Sequence, residues 1–333
     1  MPIFSTVSGV ADSIYGKSQE PIKLMMQKEL ESFEENSAIP KIFKNVKTTN
    51  FAEKFTTMLA MDDFTPVGEG GAYPESEKGE GYSAIIEPDT WKNKFFLTQE
   101  MMEDKKSFEV SSKTLGFIQS YNRTKEKFGA TLIENGANTS IKYKGKTYST
   151  ACADGKALFS AEHTMKGAKG TQSNKFADAF SKEALSAMET AMQNITDDKG
   201  NILNIAPDTI IIPNEGALKL DVFATIGADK DPNTSNNGFN YQFGRWNVIV
   251  WPYLQAIAGA ANDATPWILM DSKFNETQGG AIWLDRLDLT VKSYIDNGND
   301  NNVWTGRARF GAGFNNWRAF AIGGMSNASS LLG

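Results

Sequence analysis

Residues 61–98 read MDDFTPVGEGGAYPESEKGEGYSAIIEPDTWKNKFFLT, and no other stretch limits the possible folds as strongly. Gly68, Gly70, Gly71, Gly79 and Gly81 bracket an acidic tip, and residues of strand type follow it. The pattern predicts a long hairpin. A connection of this length with its own glycine-rich tip is uncommon inside a compact domain, and where it occurs it is functional or disordered. The tip carries Glu69, Glu75, Glu77 and Glu80 against Lys78 alone, on a chain of net charge −6. Like charge gives it little reason to pack on its own body. Extended strands also present backbone donors and acceptors that a neighbouring chain can satisfy. Gly68, Glu69, Gly70, Gly71, Glu75, Glu77, Lys78, Gly79, Glu80 and Gly81 are therefore the expected subunit-interface residues.

The 333-residue chain is long enough for about two domains, or for one large core with insertions. Residues 1–19 are Ser- and Gly-rich without a sustained period and read as an extended arm. A helix is expected from Pro21, with Ile22, Met25, Met26, Leu30 and Phe33 on one face and a stop at Asn36 and Ser37. Residues 105–135 carry the longest helical signal, through Ile118, Tyr121, Phe128 and Leu132, with Gly136 placed for a left-handed C-terminus. That rod would be roughly 45 Å long. A short hairpin is expected over Lys144-Gly145, a helix over 182–195, a buried strand over 208–212 and a helix over 214–226. Six of the seven tryptophans fall in the last third among strand-type segments, separated by turns at 231–240 and 296–302. The fold class is α+β.

Composition excludes several functions. At pI 5.1 the molecule repels polyanions, so a dedicated nucleic-acid binder is not expected. Cys152 is the single cysteine, which rules out an intrachain disulfide and points to a reducing compartment. No signal peptide or membrane-length apolar run is visible. His163 is the sole histidine, so any nucleophilic triad would run through it, with Ser160, Asp154 or Cys152 as notional partners. Crowding in sequence is weak support, and a structural or solvated histidine is the expectation. Replacing it should cost about 1 to 2 kcal/mol and leave assembly intact. Gly145-Lys146-Thr147 fails as a P-loop because Ser140 stands where the first glycine belongs. Asp296 to Asn302 fails as a calcium loop at Asn301 and Arg307. The pairs Asp62-Asp63 and Asp197-Asp198 lie in turns where acids are ordinarily solvated. No catalytic, cofactor or metal site is assigned. Arm, hairpin, rod and aromatic sheet together describe an assembly subunit.

Asp154-Gly155-Lys156-Ala157-Leu158-Phe159-Ser160 followed by His163 resembles a motif of tailed-phage major head proteins, particularly the Mu-like major head subunit family. Residues 307–318, RARFGAGFNNWR, are similar to that family's closing strands and Trp-Arg pair, with Asn316 where an Asp is usual. The element order is similar to that of the Hong Kong 97 capsid fold. The resemblance implies an arm and first helix over 1–60, the hairpin loop over 61–98, and a peripheral-type domain with spine helix over 99–200. An axial-type domain over 201–295 and C-terminal strands over 296–333 returning to the peripheral domain would follow. It further implies an icosahedral shell of hexamers and pentamers around double-stranded DNA, bound without sequence specificity, and no catalytic residues or cofactors. Portal, separate scaffold and decoration proteins would be partners, the virion capsid the location and the host bacterial cytoplasm the place of assembly. A numbering that begins at Met1 leads us to expect no cleaved N-terminal scaffold segment. Two rivals stay open: an encapsulin-like cargo compartment, separable by shell content, and a hydrolase using His163, separable by replacing that residue. Lys78, Lys92 and Lys94 are available for cross-linking, but lysines on extended strands ordinarily guard edges.

Overall fold

The computed structural model describes residues 3–4, 14–76, 79–104, 106–167, 169–227, 239–262 and 264–332. In chain order the helices are α1 (Ile14–Asn36), α2 (Ile39–Ile42), α3 (Gln99–Glu103), α4 (Ser107–Glu134), α5 (Lys182–Gln193), α6 (Gly216–Ile226) and α7 (Ser272–Gln278). The strands are β1 (Ile3–Phe4), β2 (Lys44–Lys47), β3 (Glu53–Met58), β4 (Glu80–Ile86), β5 (Asp89–Leu97), β6 (Ser140–Tyr143), β7 (Lys146–Ser149), β8 (His163–Thr164) and β9 (Thr171–Gln172). They continue with β10 (Thr209–Pro213), β11 (Asn247–Trp251), β12 (Trp267–Met270), β13 (Ala281–Asp296), β14 (Asn301–Phe314) and β15 (Phe320–Gly323). The class is α+β, as the sequence pattern predicts.

The chain forms two compact units, and neither is a continuous piece of sequence. The first comprises Met1–Glu53, Ile86–Gly129 and Trp283–Ala312. Its sheet has the order β1-β13-β14-β5, with β2 also on β13. Ile22, Met26 and Leu30 put a buried stripe on α1 at four-residue steps. An aromatic cluster fills the middle: Trp91 stacks on Phe310 at 4.9 Å, Phe310 on Trp283 at 5.2 Å, and Phe128 of α4 closes edge-on at 6.0 Å from Trp283. Lys125 lies 5.3 Å from the Trp283 centroid and 3.8 Å from Asp285, so its charge is met by a ring face and a carboxylate. Gly306 is required here, because a Cβ would meet the Phe117 ring at 2.5 Å.

The second unit comprises Lys54–Ile85, Ala130–Ile282 and Gly313–Gly333. Its sheet has the order β11-β10-β12-β15, with β10 parallel to β11 and antiparallel to β12. Ile210, Ile211 and Ile212 of β10 are all fully buried, the continuous apolar run of a strand covered on both faces. Each contributes about 1.5–3 kcal/mol. Ser181 caps α5 by accepting the Ala184 N–H at 3.0 Å, and Leu185, Met188 and Met192 bury its inner face.

Several expectations shift. The first helix begins at Ile14 and carries Pro21 inside it, so residues 14–19 are helix rather than arm; residues 5–13 lie outside the described residues. Most of the 231–240 turn lies outside them too. The hairpin stem is β3 with β4, starting before residue 61, while β5 leaves it to pair with β14 from Asn302↔Leu97 to Phe310↔Asp89. Strand-type composition cannot say which partner a strand takes. The tryptophan-rich third divides between two sheets for the same reason. Gly136 follows α4 as expected but does not adopt a left-handed conformation; a Cβ there would meet Phe159 Cδ2 at 2.7 Å, so close packing, not φ, demands glycine.

Candidate functional site

The two motifs singled out from the sequence meet in the second unit. Cys152 to Lys156 forms a turn closed by the Cys152 N–H donating to the Lys156 carbonyl at 2.8 Å, with Gly155 at φ +76°, where a side chain would be strained. The turn aims the Asp154 carboxylate inward, and its Oδ2 lies 2.7 Å from His163 Nδ1. His163 Nε2 lies 3.2 Å from Asn174 Oδ1. Both ring nitrogens therefore face acceptors, and His163 is completely buried. Its ring stacks on Trp317 of the second motif. The Ala153 N–H also donates to the Asn315 carbonyl at 3.0 Å.

Asn174 is the residue the sequence did not single out. Its Nδ2 donates to the Leu158 carbonyl at 2.8 Å and the Phe320 carbonyl at 3.0 Å, and its Oδ1 accepts the Ser160 N–H at 3.0 Å. It ties the first motif to the chain just beyond the second. A single asparagine between β9 and α5 carries no sequence signal for this. Asn316 caps the short turn at Trp317–Ala319, accepting the Arg318 N–H at 3.2 Å, so it performs the capping an Asp would.

This geometry locks backbone and offers no nucleophile. Ser160 Oγ accepts the Glu162 N–H, and the acceptor at His163 Nε2 is a carboxamide, not a hydroxyl. Burial, with a smaller contribution from Asp154, raises the Cys152 thiol well above its ordinary pKa, the opposite of an activated thiolate. His163 is buried and hydrogen-bonded rather than solvated. Among the described residues no group of His, Cys, Asp or Glu side chains could hold a metal, and no helix is long and apolar enough to cross a membrane.

The expected interface residues lie in the loop joining β3 to β4. Glu69 and Glu75 are exposed, as are Gly68, Gly70 and Gly71, and Gly70 sits at φ +76° in a turn closed by Gly71 N–H to Gly68 O at 2.9 Å. Gly79, Glu80 and Gly81 belong to the stem, where a Cβ on Gly81 would meet Thr57 Oγ1 at 2.4 Å. Glu77 and Lys78 lie outside the described residues. Phe64, Val67 and Tyr73 stand out from the same loop, uncovered by the subunit.

The acidic turns are not simply solvated. Asp198 Oδ1 accepts the Ala60 N–H at 2.8 Å, Lys199 pairs with Asp62, and the Lys166 ammonium donates to the Glu80 carbonyl at 2.8 Å. Asp62 is held below the usual carboxylate range, first by its hydrogen bond from Lys199 and then by that cation's charge. The base of the loop is thus fastened, while its outer part makes few contacts with its own subunit.

Residues 81–323 match the model of a family described as phage capsid protein. No curated protein matches the chain. Among solved structures it is similar to a virus-like particle from Pyrococcus furiosus, at 11% identity over 90% of this chain and 97% of that one, with a TM-score of 0.46. It is similar to the capsid of an empty GTA particle, at 10% identity over 98% and 94%, with a TM-score of 0.49. A further likeness is to the asymmetric unit of the bacteriophage PhiM1 mature capsid, at 10% identity over 86% of each chain, with a TM-score of 0.49.

Proposed function

The chain belongs to the phage capsid protein family, and from that premise we propose that it builds an icosahedral head in which the β3–β4 hairpin of each subunit lies across its neighbour. One observation carries the hairpin's part: Phe64 and Tyr73 are fully exposed on a loop whose base is fastened and whose outer part is not. Large apolar side chains displayed together mark a surface that another chain covers. Backbone pairing and these apolar contacts supply the main terms. Ion pairs of the acidic tip with Lys or Arg of the neighbour would each add about 0.2–1 kcal/mol and weaken with salt.

Hexamers and pentamers of this kind would enclose double-stranded DNA, and a net charge of −6 lets packed DNA slide rather than adhere. Assembly would take place in the host bacterial cytoplasm with portal, scaffold and decoration proteins as separate chains. The Asp154–His163–Trp317 junction serves as a fastener in this scheme, not as a catalytic centre.

The test is electron microscopy of the purified protein beside a variant with residues 68–81 replaced by a short turn. The parent should form closed shells or capsomer-sized oligomers, and the variant should remain a cooperatively folded subunit without shells. Normal shells from the variant would overturn the role of the hairpin. A strictly monomeric parent with a defined turnover would overturn the capsid reading, and shells enclosing an enzyme rather than DNA would turn it toward a cargo compartment.

A further inference from the structure

Arg318 lines a cavity of about 260 Å³ in the second unit, walled by the hairpin base at Thr57 to Met61, by the turn at Asp197 and Asp198, and by the Asn315 to Arg318 segment. Its guanidinium lies 5.1 Å from the Trp317 centroid. Burial pulls its pKa below the ordinary arginine value, opposed only through space by Asp154, Asp198 and Asp197. Its Nε donates to no described residue. The nearby carboxylates are engaged elsewhere: Asp154 with His163, Asp198 with the Ala60 N–H, and Asp197 with the N–H groups of Lys199 and Asn201.

A guanidinium is a planar fork of donors suited to a carboxylate or phosphate, and withdrawing one from water without hydrogen bonds is costly. Asp154, Asp197 and Asp198 around the cavity repel a doubly charged phosphate more strongly than one carboxylate. A single carboxylate is the better match for the guanidinium. The hairpin loop carries such groups in Glu69 and Glu75, both exposed, whereas the backbone of Glu80 is held at the stem by Lys166. We infer that the Arg318 guanidinium receives the hairpin tip of a second copy, pairing with its Glu69 or Glu75. This rests on the hairpin reaching a neighbour, as proposed above, and adds the place where it lands.

Arg318→Met keeps length and removes the charge. The variant subunit should melt at or above the parent's temperature, because a buried cation is gone, yet show no shells by electron microscopy. Arg318→Glu should also lose shells, and adding Glu69→Arg or Glu75→Arg should restore them. Normal shells from Arg318→Met would overturn the inference, as would failure of both charge exchanges to restore assembly. Should Arg318→Met fail to fold, cysteine pairs on the native Arg318 background decide. Gln278, on the cavity wall, becomes Cys together with Glu75→Cys or Glu69→Cys. Oxidised assemblies should then run as a covalent ladder on a non-reducing denaturing gel, and a single monomer band from both pairs would overturn the inference. The replacement of residues 68–81 separates the two claims: shells lost there but normal in Arg318→Met would remove the Arg318 contact alone, whereas shells surviving the replacement would remove the intersubunit hairpin itself.

Discussion

The imidazole of His163 lies flat on the indole of Trp317, ring centroids 4.1 Å apart and planes 6° from parallel. The contact joins residues 154 positions apart in sequence and is sealed from water on the histidine side.

His163→Ala removes that stack and leaves the Asp154 carboxylate, 4% exposed, without its imidazole partner. From the sequence the expected cost is at most about 1 to 2 kcal/mol, a local packing or hydrogen-bond loss. A buried acceptor left unsatisfied costs about 1–3 kcal/mol, and the cavity left by the ring adds to it. The urea midpoint of the unassembled subunit should fall accordingly, and a loss below about 1 kcal/mol would contradict the buried pair.

Gly136→Ala sets two effects against each other. Alanine favours a helix end over glycine by up to about 1 kcal/mol. The new Cβ, however, would lie 2.7 Å from Phe159 Cδ2 and 3.0 Å from the Ile133 carbonyl oxygen, and Phe159 is 1% exposed with nowhere to move. Overpacking of this kind costs about 1–3 kcal/mol, so the variant should be net destabilised in thermal melts. Adding Phe159→Leu should recover part of the loss.

Tyr121 is raised above its ordinary pKa of 10.0, mainly by burial and further by Asp285, Asp288 and Glu34. Its raised folded value means the folded state holds the phenol proton more tightly than the unfolded chain. The associated stability is fully present below pH 10 and is lost as pH climbs above it. Denaturant midpoints measured from pH 9 to pH 11 should fall less steeply in Tyr121→Phe than in the parent.

Asp198→Ala removes the acceptor for the Ala60 N–H at the loop base. Global stability should drop by only about 1 kcal/mol, since one partly buried hydrogen bond is lost. Cleavage within residues 60–76 by a non-specific protease should accelerate in the unassembled subunit, because loops open locally before the core does. Unchanged cleavage would show that the loop base is held by other contacts.

Much of the secondary structure was legible because it rests on local spacing. α4 spans Ser107–Glu134 against an expected 105–135, and the Lys144-Gly145 turn has both residues at positive φ, 47° and 85°, as a two-residue hairpin requires. Periodicity reports which face of an element is apolar, and that property belongs to the segment itself. Pro21 marks a first helical turn in propensity, whereas the helix runs through it from Ile14, which local spacing does not show.

The site was legible as two motifs and invisible as one. Residues 154–163 and 307–318 each stand out in sequence, but nothing in either announces that Asp154, His163, Asn174 and Trp317 converge. Sequence by itself determined the α+β class, the long helix, the acidic glycine-rich hairpin and the exclusion of an intrachain disulfide, all of which follow from composition and short-range period. Tertiary structure alone decided that β5 pairs with β14 rather than β4, that Asn174 bridges the motifs, and that Arg318 is enclosed with its Nε unsatisfied. Strand partnership, burial and hydrogen-bond satisfaction depend on which distant segments arrive together, and spacing along a chain does not encode those encounters.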